Sequence, residues 1–258
     1  MLFSVSAFAF TDHDIHPEQF AAEEAAASTG HYGKSLCNYP GYTCRAVTIN
    51  DNWYTMFPNF QNREKEMRLN RTDVALMYRN WIVVPDNLSE VSYMSLSPMP
   101  KHFDTLGKKL ILVDLHLFAF GAYDAQGNLI YWGPESSGAT TCADTDTSCK
   151  TTLGYFKIYR MEGKDCVSNE FPIETDGGAS MPYCMYFHAG EALHYSTVSG
   201  FINRSGGCIR LFHDDAKWLN EDFAQIGTYV VVTNDYRMIT VADMKKAYGH
   251  VKAKHYRQ

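Results

Sequence analysis

No apolar run in this sequence approaches the ~18 residues that a membrane-crossing helix needs, so no transmembrane segment is expected. Basic charge is also short: 23 Lys and Arg against 29 Asp and Glu leave a formal net charge of -6, which argues against nucleic acid as the main partner. Ten histidines are present but no H-E-x-x-H or comparable zinc spacing. His13, His16, His31, His102, His116, His188 and His213 therefore read as surface or packed groups, although His188 lies near enough to His194 to share a cleft. The stretch GPESSGATTC lacks the G-K-[ST] ending of a phosphate loop, and ETDGG (Glu174 to Gly178) is too short for an EF-hand. No metal site and no internal repeat are evident.

What is present is an ordinary globular balance, 45% hydrophobic and 20% charged over 258 residues, enough for one large domain or one medium and one small one. The 17 Tyr and 15 Phe supply large buried areas and also suit grooves that hold peptides or sugars. The start, MLFSVSAFAF, is apolar without a basic flank, and Ala7-Phe8-Ala9 fits a small-x-small cleavage site. Residues 1–9 read as the remnant of a secretory signal and 10–44 as a leader.

Seven cysteines support export. CNYPGYTC (Cys37, Cys44) and CADTDTSC (Cys142, Cys149) share one spacing, enclose turn-forming residues and fall outside common zinc spacings. Nearest-neighbour pairing would add Cys166 to Cys184 around a longer loop, one choice among about fifteen pairings of six cysteines. Such bonds persist in an oxidising compartment, a periplasm or the outside of the cell. Cys208 is left over, and an unpaired cysteine in an exported protein is a candidate reactive thiol.

Along the chain, RAVTI reads as a strand, WYTMFPNFQNREKEMRLN as a helix beyond Pro58, DVALMYRN as a second helix, and WIVVP as a strand closed by Pro85. This strand–helix–helix–strand order, with LNR before the second helix, resembles a LysM carbohydrate-binding module over 45–94; an ordinary α/β packing unit is the plain alternative. Proline-rich SLSPMPKHF reads as part of a linker, 95–107. Beyond it strands dominate, with hairpins at Gln126-Gly127-Asn128 and Ala189-Gly190. One helix is expected, with Asp214 as N-cap, Ala216, Leu219, Phe223 and Ile226 at helical spacing, and Gly227 past its end. The fold class expected is mainly β, α+β overall: a β-sandwich or partly open barrel preceded by a small βααβ module, with a C-terminal tail over 234–258.

The chemistry gathers in ALHYSTVSGFINRSGGCIRLF. A thiol becomes a nucleophile when it is reachable and its ionisation is assisted. Gly206 and Gly207 permit a sharp turn that presents backbone N–H groups as an oxyanion hole, Arg210 can hold an acidic group, and His194 stands one hairpin away as a base. A buried free cysteine beside a packed histidine is the plain alternative.

SGGCIRL followed by DDAKWL and preceded by ALHYS resembles the active-site signature of the L,D-transpeptidase (YkuD/ErfK) family, I-H-G then S-H-G-C-[IV]-R. ILVDLHLFAFGAYDAQGNL is similar to the family's opening hairpin, and KTTLGYFKI stands where it has T-P-x-G-x-F. The likeness covers 108–233, and an N-terminal LysM-like unit also occurs in this family. It implies Cys208 as nucleophile, His194 as base, the N–H groups of Gly207 and Cys208 as oxyanion donors, and Arg210 and Ser205 as motif residues at the substrate. It implies no metal and no organic cofactor. The substrates implied are peptidoglycan peptide stems, with glycan as a further partner of the LysM-like unit. Three positions depart from the pattern. Gly206 replaces the motif histidine, Tyr195 the glycine after the base, and Thr152 the proline; Gly206 and Tyr195 then bear on substrate binding and on activity. An L,D-carboxypeptidase, or a non-catalytic wall-binding or host-interaction protein on an inactivated domain, are the alternatives.

Overall fold

A computed structural model describes residues 33–142, 147–170 and 177–250. The signal remnant and leader to residue 32, and Glu174 to Asp176 of the acidic loop, lie outside the described residues. Among the described residues no helix is long and apolar enough to cross a membrane.

The N-terminal unit opens with a 3₁₀ turn, Gly33–Asn38, tied by the Cys37–Cys44 disulfide to strand β1, Tyr42–Ala46. Helix α1, Trp53–Met56, starts where the Asn52 side chain accepts from the Tyr54 and Thr55 N–H groups; α2, Phe60–Leu69, starts likewise at Asn59. Strand β2, Trp81–Pro85, returns antiparallel to β1. Trp53, Phe57, Leu76 and Ile82 form the small core between them. The second expected helix is a single 3₁₀ turn, Leu76–Tyr78. Its approach cannot join a helical ladder, because the Asp73 N–H donates to Val198 O, in another part of the chain.

The remainder is one nine-stranded mixed sheet curled into a half-barrel, which agrees with the mainly β expectation. Its strands are β3 (Leu110–Asp114), β4 (Ala119–Tyr123), β5 (Leu129–Ser136), β6 (Gly154–Lys157), β7 (Arg160–Met161), β8 (Met185–His188), β9 (Glu191–Tyr195), β10 (Ile209–Leu211) and β11 (Tyr229–Thr233). The order across the sheet is β6-β11-β3-β4-β5-β10-β9-β8-β7, with β11–β3 and β9–β10 parallel and the other pairs antiparallel. Alternate residues feed two cores. Ile111, Val113, Phe120, Leu193, Ile209 and Leu211 point inward against helix α3, His213–Trp218, and its wider continuation through Phe223. Leu110, Leu112, Tyr123, Trp132 and Val231 point outward and are covered by Leu69 and Val83 of the N-terminal unit.

Three expectations change. Residues 95–107 are packed rather than a free linker: Leu96 and Met99 are buried in the outer core, and the Tyr123 hydroxyl donates to Pro100 O. The C-terminal tail contains helix α4, Val241–His250, whose Met244 is buried in the same core. Asp214 is not the N-cap of α3; Phe212 holds that place without a side-chain bond, and Ile226 lies exposed past the helix end. A bidentate pair joins the two parts of the chain. Arg68 on α2 meets the fully buried Asp215 on α3 at 2.6 Å on both oxygens, and the Tyr131 hydroxyl donates to the same carboxylate.

Candidate active site

Strands β8 and β9 form a hairpin whose turn residues, Ala189 (φ 35°) and Gly190 (φ 89°), both take the left-handed conformation that a two-residue hairpin turn requires. Strand β10 lies parallel to β9, with Ile209 opposite Leu193, Arg210 opposite His194 and Leu211 opposite Tyr195. Because side chains alternate, this register fixes what shares a face. Leu193, Ile209 and Leu211 go to the inner core. Ala192, His194 and Arg210 go to the outer face, and Cys208, one residue before β10, packs there against the cluster containing Ala192, Tyr186 and the Cys166–Cys184 bridge.

The turn before Cys208 is built by side chains around it. The Ser205 hydroxyl donates to Cys208 O and accepts from the Gly207 N–H. The Thr151 hydroxyl donates to Gly207 O at 2.7 Å and accepts from the Gly138 N–H at 2.8 Å. Thr151 follows the Cys142–Cys149 bridge, so that staple braces the Cys208 turn from outside. Gly207 has φ 125°, a conformation that strains any residue with a side chain.

A cleft of about 330 Å³ opens over the sulfur, lined by Tyr159, Arg160, Glu170, Tyr186, Glu191 and Gly206 among others. The Arg160 guanidinium lies 3.8 Å over the Tyr186 ring. Glu191 is held by Thr152, whose hydroxyl donates to it at 2.8 Å. Burial pushes the Cys208 thiol up to about 11; Glu191 and Glu170 push the same way, while the Ala192 N–H and Arg210 oppose. Burial also pushes His194 down to about 4, with Arg210 adding to the shift and the bond from Nδ1 to Tyr195 O, 2.8 Å, opposing it. At neutral pH the thiol and imidazole are both uncharged, and the thiol donates weakly to Gly190 O at 3.9 Å.

The expected site residues thus divide. Cys208, His194 and Arg210 share the outer face, and Gly206 lies exposed on the cleft rim. No carboxylate ion-pairs with Arg210 among the described residues. Tyr195 points the other way, into the inner core, with its ring edge-on to His213 at 5.1 Å, so it does not contact the cleft. Ser205 is buried inside the turn and organises it rather than meeting a ligand. The Gly207 N–H is engaged by Ser205, which removes it as an oxyanion donor and leaves the Cys208 N–H. Of Met185, Tyr186 and Phe187, which read as a possible groove wall, only the middle residue lines the cleft; the others face the inner core. Arg160 and Glu191 carried no motif, and the one signal available for Glu191 was its place beside the Ala189-Gly190 turn. The six paired cysteines form the three nearest-neighbour bridges, and Cys208 is free.

A thiol at a cleft, just after an S-G-G turn and before β10, with a buried imidazole on the same face of the neighbouring parallel strand, defines the signature to compare. Residues 108–232 match the YkuD family model, the L,D-transpeptidase catalytic domain. Comparison with curated proteins gave no match. Among solved structures, the L,D-transpeptidase of Xylanimonas cellulosilytica (residues 123–326) is similar at 22% identity and a TM-score of 0.46, covering 58% of this chain and 71% of that one. An L,D-transpeptidase (Yku) from Stackebrandtia nassauensis is similar at 24% identity and a TM-score of 0.41, covering 54% and 62%. L,D-transpeptidase 1 of Mycobacterium tuberculosis is similar at 21% identity and a TM-score of 0.39, covering 49% and 62%. This chain spans less than two thirds of the latter two. The N-terminal unit and α4 lie outside the YkuD match.

Proposed function

We propose that this chain is a cysteine-dependent acyl transferase acting on peptidoglycan peptide stems, an L,D-transpeptidase. The observation that carries the reading is the placement of Cys208 and His194 on one face of the parallel β9–β10 pair, with the sulfur in the floor of a cleft, inside a segment matching the YkuD catalytic domain. His194 takes the thiol proton as the sulfur attacks the carbonyl of the third stem residue. The Cys208 N–H and the unpaired Arg210 charge balance the oxyanion. Collapse expels D-alanine, whose amine receives the proton from His194, and leaves a thioester. An acceptor amine then attacks, yields its proton to His194, and the sulfur departs and is reprotonated. Glu191, held by Thr152, and Arg160 line the cleft by which such a charged peptide enters. Three disulfides require an oxidising compartment, which fits a periplasmic or secreted protein.

A hydrolytic outcome, an L,D-carboxypeptidase, uses the same residues with water as acceptor. Exposed Gly206, which leaves the cleft rim without an imidazole, favours keeping it as the second reading. A wall-binding protein without catalysis would leave the sulfur unmodified. Incubation with a tetrapeptide stem or imipenem, followed by intact mass, tests all three. The acyl-transfer reading expects an adduct on Cys208, absent in Cys208→Ala and formed at least about a hundredfold more slowly in His194→Ala. Cross-linked products then mark the transferase and shortened stems the hydrolase. Unmodified protein that still pellets with purified peptidoglycan would overturn the enzymatic reading.

A further inference from the structure

Between His194 and Cys208 the chain leaves β9, crosses the outer face and returns as β10 parallel to it. That crossover, residues 196–207, contains no helix or strand of its own, so its course depends on what grips it. One grip comes from the end of β5. The Ser136 hydroxyl donates to Ile202 O at 2.6 Å, the Ser137 N–H donates to the Asn203 side chain, and the Ser205 N–H donates to Ser137 O. The other comes from the N-terminal unit, outside the YkuD match. Gly200 N–H donates to Arg71 O at 2.7 Å, Thr72 bridges Ser199, and Arg79 donates to Ser199 O at 3.3 Å. Trp81 stacks on Phe201 with the ring planes 3° apart. Asp73 binds Val198 in both directions: its N–H donates to Val198 O at 3.0 Å, and its carboxylate accepts the Val198 N–H at 2.9 Å.

We propose that residues 71–81, with Asp73 at their centre, position the site: they fix the crossover that sets Cys208 against His194. This rests on the acyl-transfer reading and adds to it a role for the N-terminal unit that glycan binding alone does not require. Small displacements of reacting groups have large kinetic effects, because the sulfur, base and carbonyl must align together. Without the Asp73 carboxylate a buried N–H near the start of the crossover loses its acceptor, and the loop is expected to resettle. Val198 is fully buried, so water cannot replace that acceptor without rearrangement.

The test uses the full oxidised chain and the rate of imipenem adduct formation on Cys208. Asp73→Ala is expected to lower the maximal rate tenfold or more while the half-saturating imipenem concentration stays within twofold. Asp73→Asn keeps an acceptor oxygen and is expected to return to within threefold of the parent. Asn59→Ala removes the side-chain cap at the start of α2 in the same unit, away from both 71–81 and the crossover, and is expected to lower the Tm without slowing the adduct. If Asp73→Ala does not fold, Phe201→Leu, which unstacks the crossover from Trp81, carries the same expected loss. A parental rate in Asp73→Ala would overturn the proposal, as would a loss shared equally by Asp73→Asn or by Asn59→Ala. If the parent forms no adduct, it is the acyl-transfer reading that fails. Iodoacetamide alkylation of Cys208 then decides positioning by itself: at least a threefold change in Asp73→Ala but not Asp73→Asn supports it, and equal rates sink it.

Discussion

The two faces of the β9–β10 pair are made by alternate residues of the same six or seven positions, yet they differ in kind. Inward, Leu193, Ile209 and Leu211 are wholly buried among Met185, Phe187 and Phe223. Outward, His194, Cys208 and Arg210 are ionisable groups held partly out of water, and each is moved away from its charged form, chiefly by burial. The inner face needs only volume and shape. The outer face keeps a thiol and an imidazole both neutral at pH 7, and under the acyl-transfer reading proposed above the proton moves between them when a carbonyl arrives rather than beforehand. That is a different resting state from a preformed thiolate–imidazolium pair, and it makes the chemistry depend on alignment.

The sharpest way to break this comparison is to damage the inner face and ask whether the outer one notices. Leu193→Ala leaves a cavity beside Ile209 and Phe187, and large-to-small changes of this kind cost about 2–5 kcal/mol. The expected outcome is a lower urea midpoint with an unchanged alkylation rate of Cys208 under conditions where the variant is folded. A large drop in alkylation at full folding would show that the faces are not separable.

Local signals made much of this legible before any coordinates. The hairpin turns at Gly127 and Ala189-Gly190 follow from turn chemistry, and the nearest-neighbour choice among about fifteen pairings agrees with the three bridges and the free Cys208. What failed was decided at long range. The segment around Asp73 reads as helix, but its N–H bonds to Val198. Residues 95–107 and 241–250 read as linker and tail, but Leu96, Met99 and Met244 close the outer core. Within the site, Cys208, His194 and Arg210 were carried by the motif. The inward turn of Tyr195 was fixed by register with Leu211, and the inward role of Ser205 by a bond across its own turn. Arg160 and Glu191 reach the cleft only because β7, β8 and β9 are neighbours, which no short window reveals.

A smaller effect concerns Asp73. Burial raises its carboxyl from 3.8 to about 6, with Asp215 and Glu64 adding to the shift and the N–H bonds from Val198 and its own backbone opposing it. The folded state therefore takes up a proton as pH falls through about 6, whereas the unfolded chain does so only near 3.8. Stability from this group improves between pH 6 and 4, and above pH 6 the charged form carries its full desolvation cost, at most about 3 kcal/mol for a shift of roughly two units. Asp73→Asn is expected to unfold at a higher temperature than the parent at pH 7.5, with the difference shrinking by pH 4. Equal melting at pH 7.5 would mean that the carboxylate is solvated better than its position on the crossover implies.

The finest distinction lies within the outer face itself, between charges that favour the thiolate and those that oppose it. Glu191 opposes it. Its carboxylate is anchored by the Thr152 N–H and hydroxyl, and the amide oxygen of Gln can accept the same bonds, so Glu191→Gln removes the charge while preserving the tether. Without that charge the thiolate is less disfavoured, and the Cys208 pKa is expected to fall by about half a unit, equivalent to ~0.7 kcal/mol. At pH 8 the iodoacetamide rate should then rise up to about threefold, and the gain should fade at 1 M salt only if solvent ions already screen the pair. A rise that persists in high salt places Glu191 and Cys208 together in the dry part of the cleft, where an incoming ammonium would neutralise the carboxylate and ease ionisation of the sulfur in the same event.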